Sequence, residues 1–146
     1  MDFNKCKEIN ICELCNVERA VKGKIYKAGT CFIKLSAVDD FVGQIVEGGE
    51  IDSRFAVFEP KKEVNVAYIH IAVSRAFPEF LRRYRTTINL QFDTLKHFKI
   101  IWHDDLSQQQ CIVEKIRAID EMILFEKQQL EVEKTIKKYY LNKMLV

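Results

Sequence analysis

The chain has 146 residues, of which 48% are hydrophobic, 30% charged and 11% aromatic. This length and composition are typical of one globular domain, or of one domain with an added element, and they exclude a wholly disordered or fibrous protein. The net charge is only +2, so a nucleic-acid partner would have to be attracted by local clusters of basic side chains.

Turn-forming residues are concentrated in the first half of the chain. Every glycine precedes residue 50, and the two prolines are Pro60 and Pro78. Short β-branched and aromatic runs between these turns predict three or four strands. The clearest of them are Cys31–Ser36, Phe41–Val46 and Arg54–Phe58.

Helical spacing of apolar residues begins after residue 64. Asn65 is a suitable N-cap for a helix that reaches about Ala76, and Pro78 can open a second short helix that ends at Tyr84. A further strand is expected over His97–Trp102.

The strongest structural pattern lies at the C-terminus. Ser107 to Gln110 fits a capping box, so we expect a helix to start at Ser107 and to reach about Lys143, a length of roughly 55 Å. An amphipathic helix can fold back on its own domain, but a pattern this long favours an exposed surface for pairing with another helix. Glu126 and Glu133 interrupt the apolar face and favour antiparallel or mixed pairing. The predicted pairing residues are Ile112, Ile116, Ile119, Ile123, Leu130, Ile136, Tyr140 and Met144.

These patterns predict an α+β fold. A small mixed α/β domain (1–105) would be followed by one long helix (106–146) that pairs as an antiparallel coiled coil for dimerisation and partner docking. No apolar run approaches the roughly 18 residues that span a bilayer, and Met1 to Lys7 is followed by charge, so we expect a cytoplasmic protein with no membrane partner.

The cysteines offer one possible metal site. Their odd number and uneven spacing argue against a disulfide framework. Cys12 and Cys15 form a C-x-x-C pair that could bind zinc together with Cys6 and Cys31, but the second pair of a typical zinc site is missing. A redox role is no better supported, so we expect neither a metal nor another cofactor.

No catalytic residues can be assigned. His70, His97 and His103 fall on different predicted elements, and no hydrolase, zincin or P-loop motif is present. Asp39-Asp40 is typical of a turn, and Asp104-Asp105 of the approach to a helix N-terminus.

Basic side chains cluster in two segments. In the first segment, Arg82, Arg83 and Arg85 precede Thr87, Asn89 and Gln91. The guanidinium groups are suited to bind phosphates, and the polar side chains that follow are suited to contact base edges. Lys22, Lys24, Lys27 and Lys34 surround Tyr26. Taken alone, each cluster is more typical of an ordinary solvated face. The candidate DNA-binding residues are Lys22, Lys24, Tyr26, Lys34, Arg82, Arg83, Arg85, Thr87, Asn89 and Gln91.

The C-terminal segment contains Asp104-Asp105-Leu106-Ser107-Gln108-Gln109-Gln110, then Ile116, Ile119 and Ile123, and then Lys137-Lys138, Leu141 and Met144. This pattern resembles the conserved helical region of type I restriction-modification specificity (S) subunits. Upstream, Glu18-Arg19-Ala20, Gly23-Lys24, Leu35-Ser36-Ala37, Pro78 to Leu81 and Thr87 to Phe92 are similar to a target recognition domain of that family.

The resemblance implies a non-catalytic subunit that reads double-stranded DNA and holds adenine methyltransferase subunits, with a restriction motor subunit as a further partner. A complete family member has two recognition domains and two long helices, whereas this chain has material for one of each. The resemblance therefore implies a half-subunit that acts as a homodimer on two inverted half-sites. Two alternatives stay open: an interaction module or decoy that pairs through its helix without touching DNA, and an enzyme with a metal at Cys6, Cys12, Cys15 and Cys31.

Overall fold

The computed structural model describes residues 3–36, 38–61 and 64–145. It contains two compact units, one made of the residues up to Gln110 and the other of the residues from Cys111 onward. The predicted mixed α/β domain with a long C-terminal helix is confirmed. Ala37, part of the resemblance described above, lies outside the described residues.

A four-stranded antiparallel sheet forms the centre of the first unit, with strand order β2-β7-β4-β5. Its strands are β2 (Cys15–Arg19), β4 (Cys31–Lys34), β5 (Val42–Gln44) and β7 (Phe55–Pro60). The three strands predicted here are confirmed in position, although their bounds differ. Phe41 and Val46 are exposed and lie outside β5, so that strand is shorter than its apolar run.

Two small antiparallel ribbons accompany this sheet. β1 (Lys7–Asn10) pairs with β8 (Lys99–Trp102), and β3 (Ile25–Tyr26) pairs with β6 (Gly49–Glu50). The expected strand over His97–Trp102 begins two residues later, because a 3₁₀ helix covers Phe92–His97.

The helix α1 (Ile11–Leu14) is a single turn that sequence patterns did not predict. The side chain of Asn10 accepts a hydrogen bond from Cys12 N at 2.9 Å, while the side chain of Glu13 accepts one from Asn10 N. This reciprocal cap starts the turn, and its first residue, Ile11, is fully buried.

The helix α2 (Val66–Tyr84) begins as expected, because the Asn65 side chain accepts a hydrogen bond from Tyr68 N. It is one continuous helix, however, and the predicted break at Pro78 is wrong. Proline removes one backbone hydrogen bond, but the apolar face continues through Phe77, Phe80 and Leu81. All three are buried, and their burial keeps the chain helical.

The long helix α3 (Leu106–Met144) has 39 residues, about 58 Å at 1.5 Å per residue. The predicted cap is wrong by two positions. Asp105, not Ser107, caps the helix, since its carboxylate accepts a hydrogen bond from Ser107 N at 2.8 Å. An acidic cap is favourable there because it faces the positive end of the helix dipole.

Aromatic side chains fill the main core. The ring of Phe98 packs against those of Phe58, Phe77 and Phe80, with centroids 4.8 to 6.2 Å apart. A second cluster consists of Ala20, Tyr26, Ile51 and Val57. No helix within the described ranges is long and apolar enough to cross a membrane.

Candidate nucleic-acid interface

Backbone pairing gathers basic residues from separate segments at one end of the four-stranded sheet. Ala20 N donates to Phe55 O and Leu35 N donates to Arg54 O, both at 2.9 Å. The C-terminal ends of β2 and β4 therefore meet the N-terminal end of β7. We call the cations there the basic end. They are Arg19, Lys22, Lys24, Lys34 and Arg54.

The segment after α2 is hydrogen-bonded to the same end of the sheet. Leu90 N donates to Leu35 O at 2.9 Å, and Val38 N donates to Ile88 O at 2.8 Å. The structure therefore brings one of the predicted clusters, at residues 82–91, next to the strand that carries Lys34 from the other.

Two of the cations at the basic end form salt bridges with carboxylates, namely Lys24 and Arg54. Glu18 pairs with Lys24 and also accepts from the Tyr26 hydroxyl, and these contacts lower the pKa of Glu18. Asp52 accepts from both the backbone and the side chain of Arg54, which lowers its pKa as well. Within the described part of the chain, no salt bridge engages Arg19, Lys22 or Lys34.

The three predicted arginines lie at the C-terminal end of α2 or directly after it, and all are exposed. Arg83 pairs with Glu79 at 3.2 Å. Arg82 and Arg85 are in no salt bridge with a described residue. The Tyr84 ring stacks on His97 with a 6.0 Å centroid separation, so the C-terminal end of the 3₁₀ helix, which carries Lys96 and His97, lies beside the end of α2.

Tyr26 cannot contribute an exposed aromatic surface, and its place among the predicted DNA-binding residues is corrected. Its side chain is fully buried, donates to Glu18 and accepts from Val21 N at 3.0 Å. The Lys24 ammonium lies 4.9 Å from the centroid of its ring. Tyr26 is therefore a core residue that holds Lys24 and the turn before it.

Thr87 and Asn89 belong to a tight turn, and Gln91 follows it. Thr86 and Asn89 form an isolated antiparallel bridge, with Thr87 and Ile88 as the two central residues. Thr87, Asn89 and Gln91 are all exposed. Sequence reasoning missed Arg19 and Arg54 as candidates because only the strand pairing brings them to the basic end.

All but one of the predicted pairing residues lie on one row along α3. Ile112 and Ile116 are half-buried, and every residue from Arg117 to Leu145 is exposed. Positions on this row alternate at 4 and 3 residues from Ile112 to Met144, with Glu126, Glu133 and Lys137 among them. Ile136 falls outside this alternation.

Ile136 belongs instead to a second row on the neighbouring face of α3. The same alternation of 4 and 3 residues relates Ala118, Met122, Phe125, Gln129, Val132, Ile136 and Tyr139. At 100° per residue the two rows lie about 110° apart. Apolar side chains are therefore exposed on two adjacent faces of this helix.

Three of the residues considered as metal ligands or catalytic groups are buried in the structure, namely Cys15, Cys31 and His103. Burial raises the pKa of the Cys15 and Cys31 thiols to about 12. His103 is buried, with Nδ1 2.6 Å from the Tyr68 hydroxyl and Nε2 3.1 Å from Phe3 O. Among residues 3–36, 38–61 and 64–145, no three His, Cys, Asp or Glu side chains are grouped to hold a metal ion.

Comparison by sequence finds no protein-family model and no curated protein that matches the chain. Comparison of structures does find matches. The S subunit of the type I restriction-modification system from M. genitalium matches with a TM-score of 0.70 and 11% identity, over 98% of this chain and 47% of the other. A chain from a structural study of complex assembly and conformational transition in the type I system matches with a TM-score of 0.72 and 14% identity, over 91% and 43%.

The chain thus has the fold of a type I restriction-modification S subunit, and the resemblance seen in its sequence is confirmed at the level of the fold. It spans about half the length of the solved structures that it matches. One small α/β domain and one long helix correspond to that half.

Proposed function

We propose that this protein is a non-catalytic DNA-recognition and scaffold subunit of a type I restriction-modification system, acting as a homodimer of half-subunits. The domain at residues 1–105 reads DNA, and the helix at residues 106–146 pairs with a second copy. Adenine methyltransferase subunits bind the dimer, and a restriction motor subunit is a further candidate partner. No catalytic residue, metal or cofactor is assigned.

The cations of the basic end that have no salt bridge, together with two arginines at the C-terminal end of α2, support the DNA-reading part of this proposal. Arg19, Lys22, Lys34, Arg82 and Arg85 come from three separate segments that backbone hydrogen bonds connect at one end of the sheet. None is neutralised by a salt bridge with a described residue. Four of these cations are exposed and Lys34 is half-buried. Cations that no carboxylate neutralises bind phosphates independently of sequence, and Thr87, Asn89 and Gln91, which follow Arg85 in the chain, are the candidates for contacts with base edges.

Charged positions in the first row of α3 favour one antiparallel register. Glu126 and Lys137 are exposed and in no salt bridge within the described chain. If Glu126 of one copy faces Lys137 of the other, two such pairs form about the two-fold axis. The remaining layers then bring together Ile119 with Met144, Ile123 with Tyr140, and Leu130 with Glu133.

A shift of the register by one heptad in one direction removes the pairing of opposite charges. A shift in the other direction shortens the stretch over which the apolar residues of the two helices are paired. One shift places Lys137 against Ile119, and the opposite shift pairs Lys137 with Glu133 but ends the apolar overlap near Glu126. We therefore propose the Glu126–Lys137 register for the homodimer.

A charge-exchange experiment tests the pairing. Glu126→Lys and Lys137→Glu should each weaken the dimer, because each places like charges opposite one another. The double variant restores opposite charges and should recover dimerisation close to that of the unmodified chain, as measured by sedimentation equilibrium. Single variants that dimerise normally, or a double variant weaker than both, would contradict this register.

Antiparallel pairing also constrains the DNA target. Each domain is joined to the N-terminal end of its own helix, so pairing about a two-fold axis places two readers apart and in opposite orientations. The proposed target is two inverted half-sites separated by a gap. Methyl transfer by the partner subunits should depend on this chain.

The second row of α3 supports an alternative, an interaction module that pairs through its helix without touching DNA. Fluorescence anisotropy with duplex DNA, in the presence and absence of the methyltransferase subunits, separates the two functions. DNA binding and dependence of methylation on this chain support the first, whereas helix pairing without DNA binding supports the second.

A further inference from the structure

The turn at residues 86–89 combines backbone strain with firm anchoring. Thr87 has φ +45°, and among the described residues it is the one non-glycine residue with positive φ. A β-branched residue in this region is a genuine outlier with a strained backbone. Such strain persists only where the surrounding structure enforces it.

Hydrogen bonds on both sides of the turn enforce it here. Thr86 N donates to Asn89 O at 2.9 Å, and Asn89 N donates to Thr86 O at 2.8 Å. Val38 N donates to Ile88 O, and Leu90 N donates to Leu35 O. The turn is therefore fixed to the end of β4 rather than free to move as a loop tip usually is.

One of the side chains that this fixed turn exposes to solvent is apolar. Ile88 is 63% exposed, and it lies three residues after Arg85, whose side chain is exposed and in no salt bridge with a described residue. The segment thus combines an exposed guanidinium group with an exposed apolar side chain on a fixed turn three residues later. These are the two components of a base contact: a cation that binds a phosphate and an apolar group that contacts a base.

We propose that Ile88 is a specificity-determining residue that contacts DNA bases directly, while Arg82 and Arg85 hold the adjacent phosphates. This inference rests on the proposed DNA-recognition function. Apolar side chains read DNA by contact with the thymine methyl group in the major groove or by insertion at a flexible base step. Both modes of contact require a side chain that is held in a fixed position.

The test uses the full chain and a duplex recovered from a random-sequence library by the unmodified protein, with a scrambled duplex as the non-specific probe. Ile88→Ala should lower affinity for the recovered duplex by about tenfold or more. Its affinity for the scrambled duplex and its salt dependence should stay unchanged, since the cations that bind phosphates are all retained. Val46→Ala, which also truncates an exposed β-branched aliphatic side chain, at 86% exposure, should leave both affinities unchanged.

The results distinguish base contact by Ile88 from DNA recognition by the chain as a whole. If Ile88→Ala binds the recovered duplex as tightly as the unmodified protein, or loses affinity equally for both duplexes, Ile88 does not read bases, while DNA recognition by the chain stands. If the unmodified protein recovers no duplex and binds neither probe, the proposed function fails as well. Circular dichroism of Ile88→Ala verifies that the fold is intact.

Discussion

Thr86 and Asn89 exchange two backbone hydrogen bonds, at 2.9 and 2.8 Å, and this pairing holds the intervening Thr87 at φ +45°. A two-residue turn that joins antiparallel neighbours requires positive φ, which glycine, asparagine and aspartate adopt more readily than threonine. The strained residue, Thr87, therefore lies directly before Ile88, the exposed apolar residue of this turn.

Relieving this strain should stabilise the protein. Thr87→Asn should raise the free energy of unfolding by about 1 kcal/mol, because asparagine tolerates the left-handed region. Urea unfolding measures the change. Thr87→Val, which keeps the β-branch, is the matched control and should give no gain. Destabilisation by Thr87→Asn would show that the threonine side chain makes a compensating contact.

The exposed arginines should bind DNA through phosphates. Arg82→Gln/Arg85→Gln should weaken binding to the recovered and scrambled duplexes alike. It should reduce the slope of log K against log salt by about 0.9 for each phosphate that the protein no longer neutralises. The comparison is made by anisotropy titration at several salt concentrations.

The matched control removes the same charge from α3. Arg117→Gln/Lys138→Gln changes two exposed cations outside both apolar rows and should leave the salt slope unchanged. Equal reductions in the two double variants would indicate a general effect of net charge instead of a defined interface.

Gly43 lies directly opposite Phe32 in the β4–β5 pair, and the absence of a side chain at position 43 leaves room for the Phe32 ring. A Cβ at position 43 would overlap the Phe32 ring, so Gly43→Ala should destabilise the fold by about 1–3 kcal/mol. Phe32→Leu in the same chain should recover part of the loss. Gly48→Ala is the control, because its Cβ would lie 3.4 Å from the nearest atom, Tyr26 O. Equal losses at the two glycines, measured by urea unfolding, would contradict this account.

The buried thiols should make the fold sensitive to alkaline pH. The pKa of Cys15 and Cys31 is about 12 in the folded protein, against an ordinary value of 9.0. Below pH 9 both thiols are protonated in the folded and unfolded states, and their contribution to stability is fully present. Between about pH 9 and 12 only the unfolded chain loses these protons, so stability falls by up to ~1.4 kcal/mol per pH unit per thiol.

The measurement is the free energy of unfolding against pH. Cys15→Ala/Cys31→Ala should show a shallower alkaline fall than the unmodified chain, each compared with its own value at neutral pH. In the folded protein, iodoacetamide should modify the exposed Cys6 and spare Cys15 and Cys31. Parallel pH profiles, or rapid labelling of the buried pair, would contradict the assigned pKa shifts.

Local patterns in the sequence predicted elements that local interactions determine. Asn65 caps α2 as expected, because a cap needs only neighbouring backbone groups. The long apolar alternation after Ile112 predicted α3 for the same reason. Pro78 misled the prediction because burial of Phe77, Phe80 and Leu81 is a tertiary effect that outweighs one missing hydrogen bond.

Pairing between distant segments could not be predicted in the same way. β1 and β8 are joined across most of the first unit, from Lys7 opposite Trp102 to Asn10 opposite Lys99. No local pattern specifies such a partner. The basic end depends on this kind of pairing as well, so the lysines were found individually while Arg19 and Arg54 were missed. The burial of Tyr26 is likewise a consequence of the tertiary fold.

The mass of the complex shows directly whether two copies of this chain pair through α3 to hold two DNA readers. Light scattering of the purified protein at micromolar concentration, alone and with the recovered duplex, should give about twice the chain mass of 17.2 kDa without DNA and two chains per duplex with it. A mass of one chain under both conditions would contradict the account.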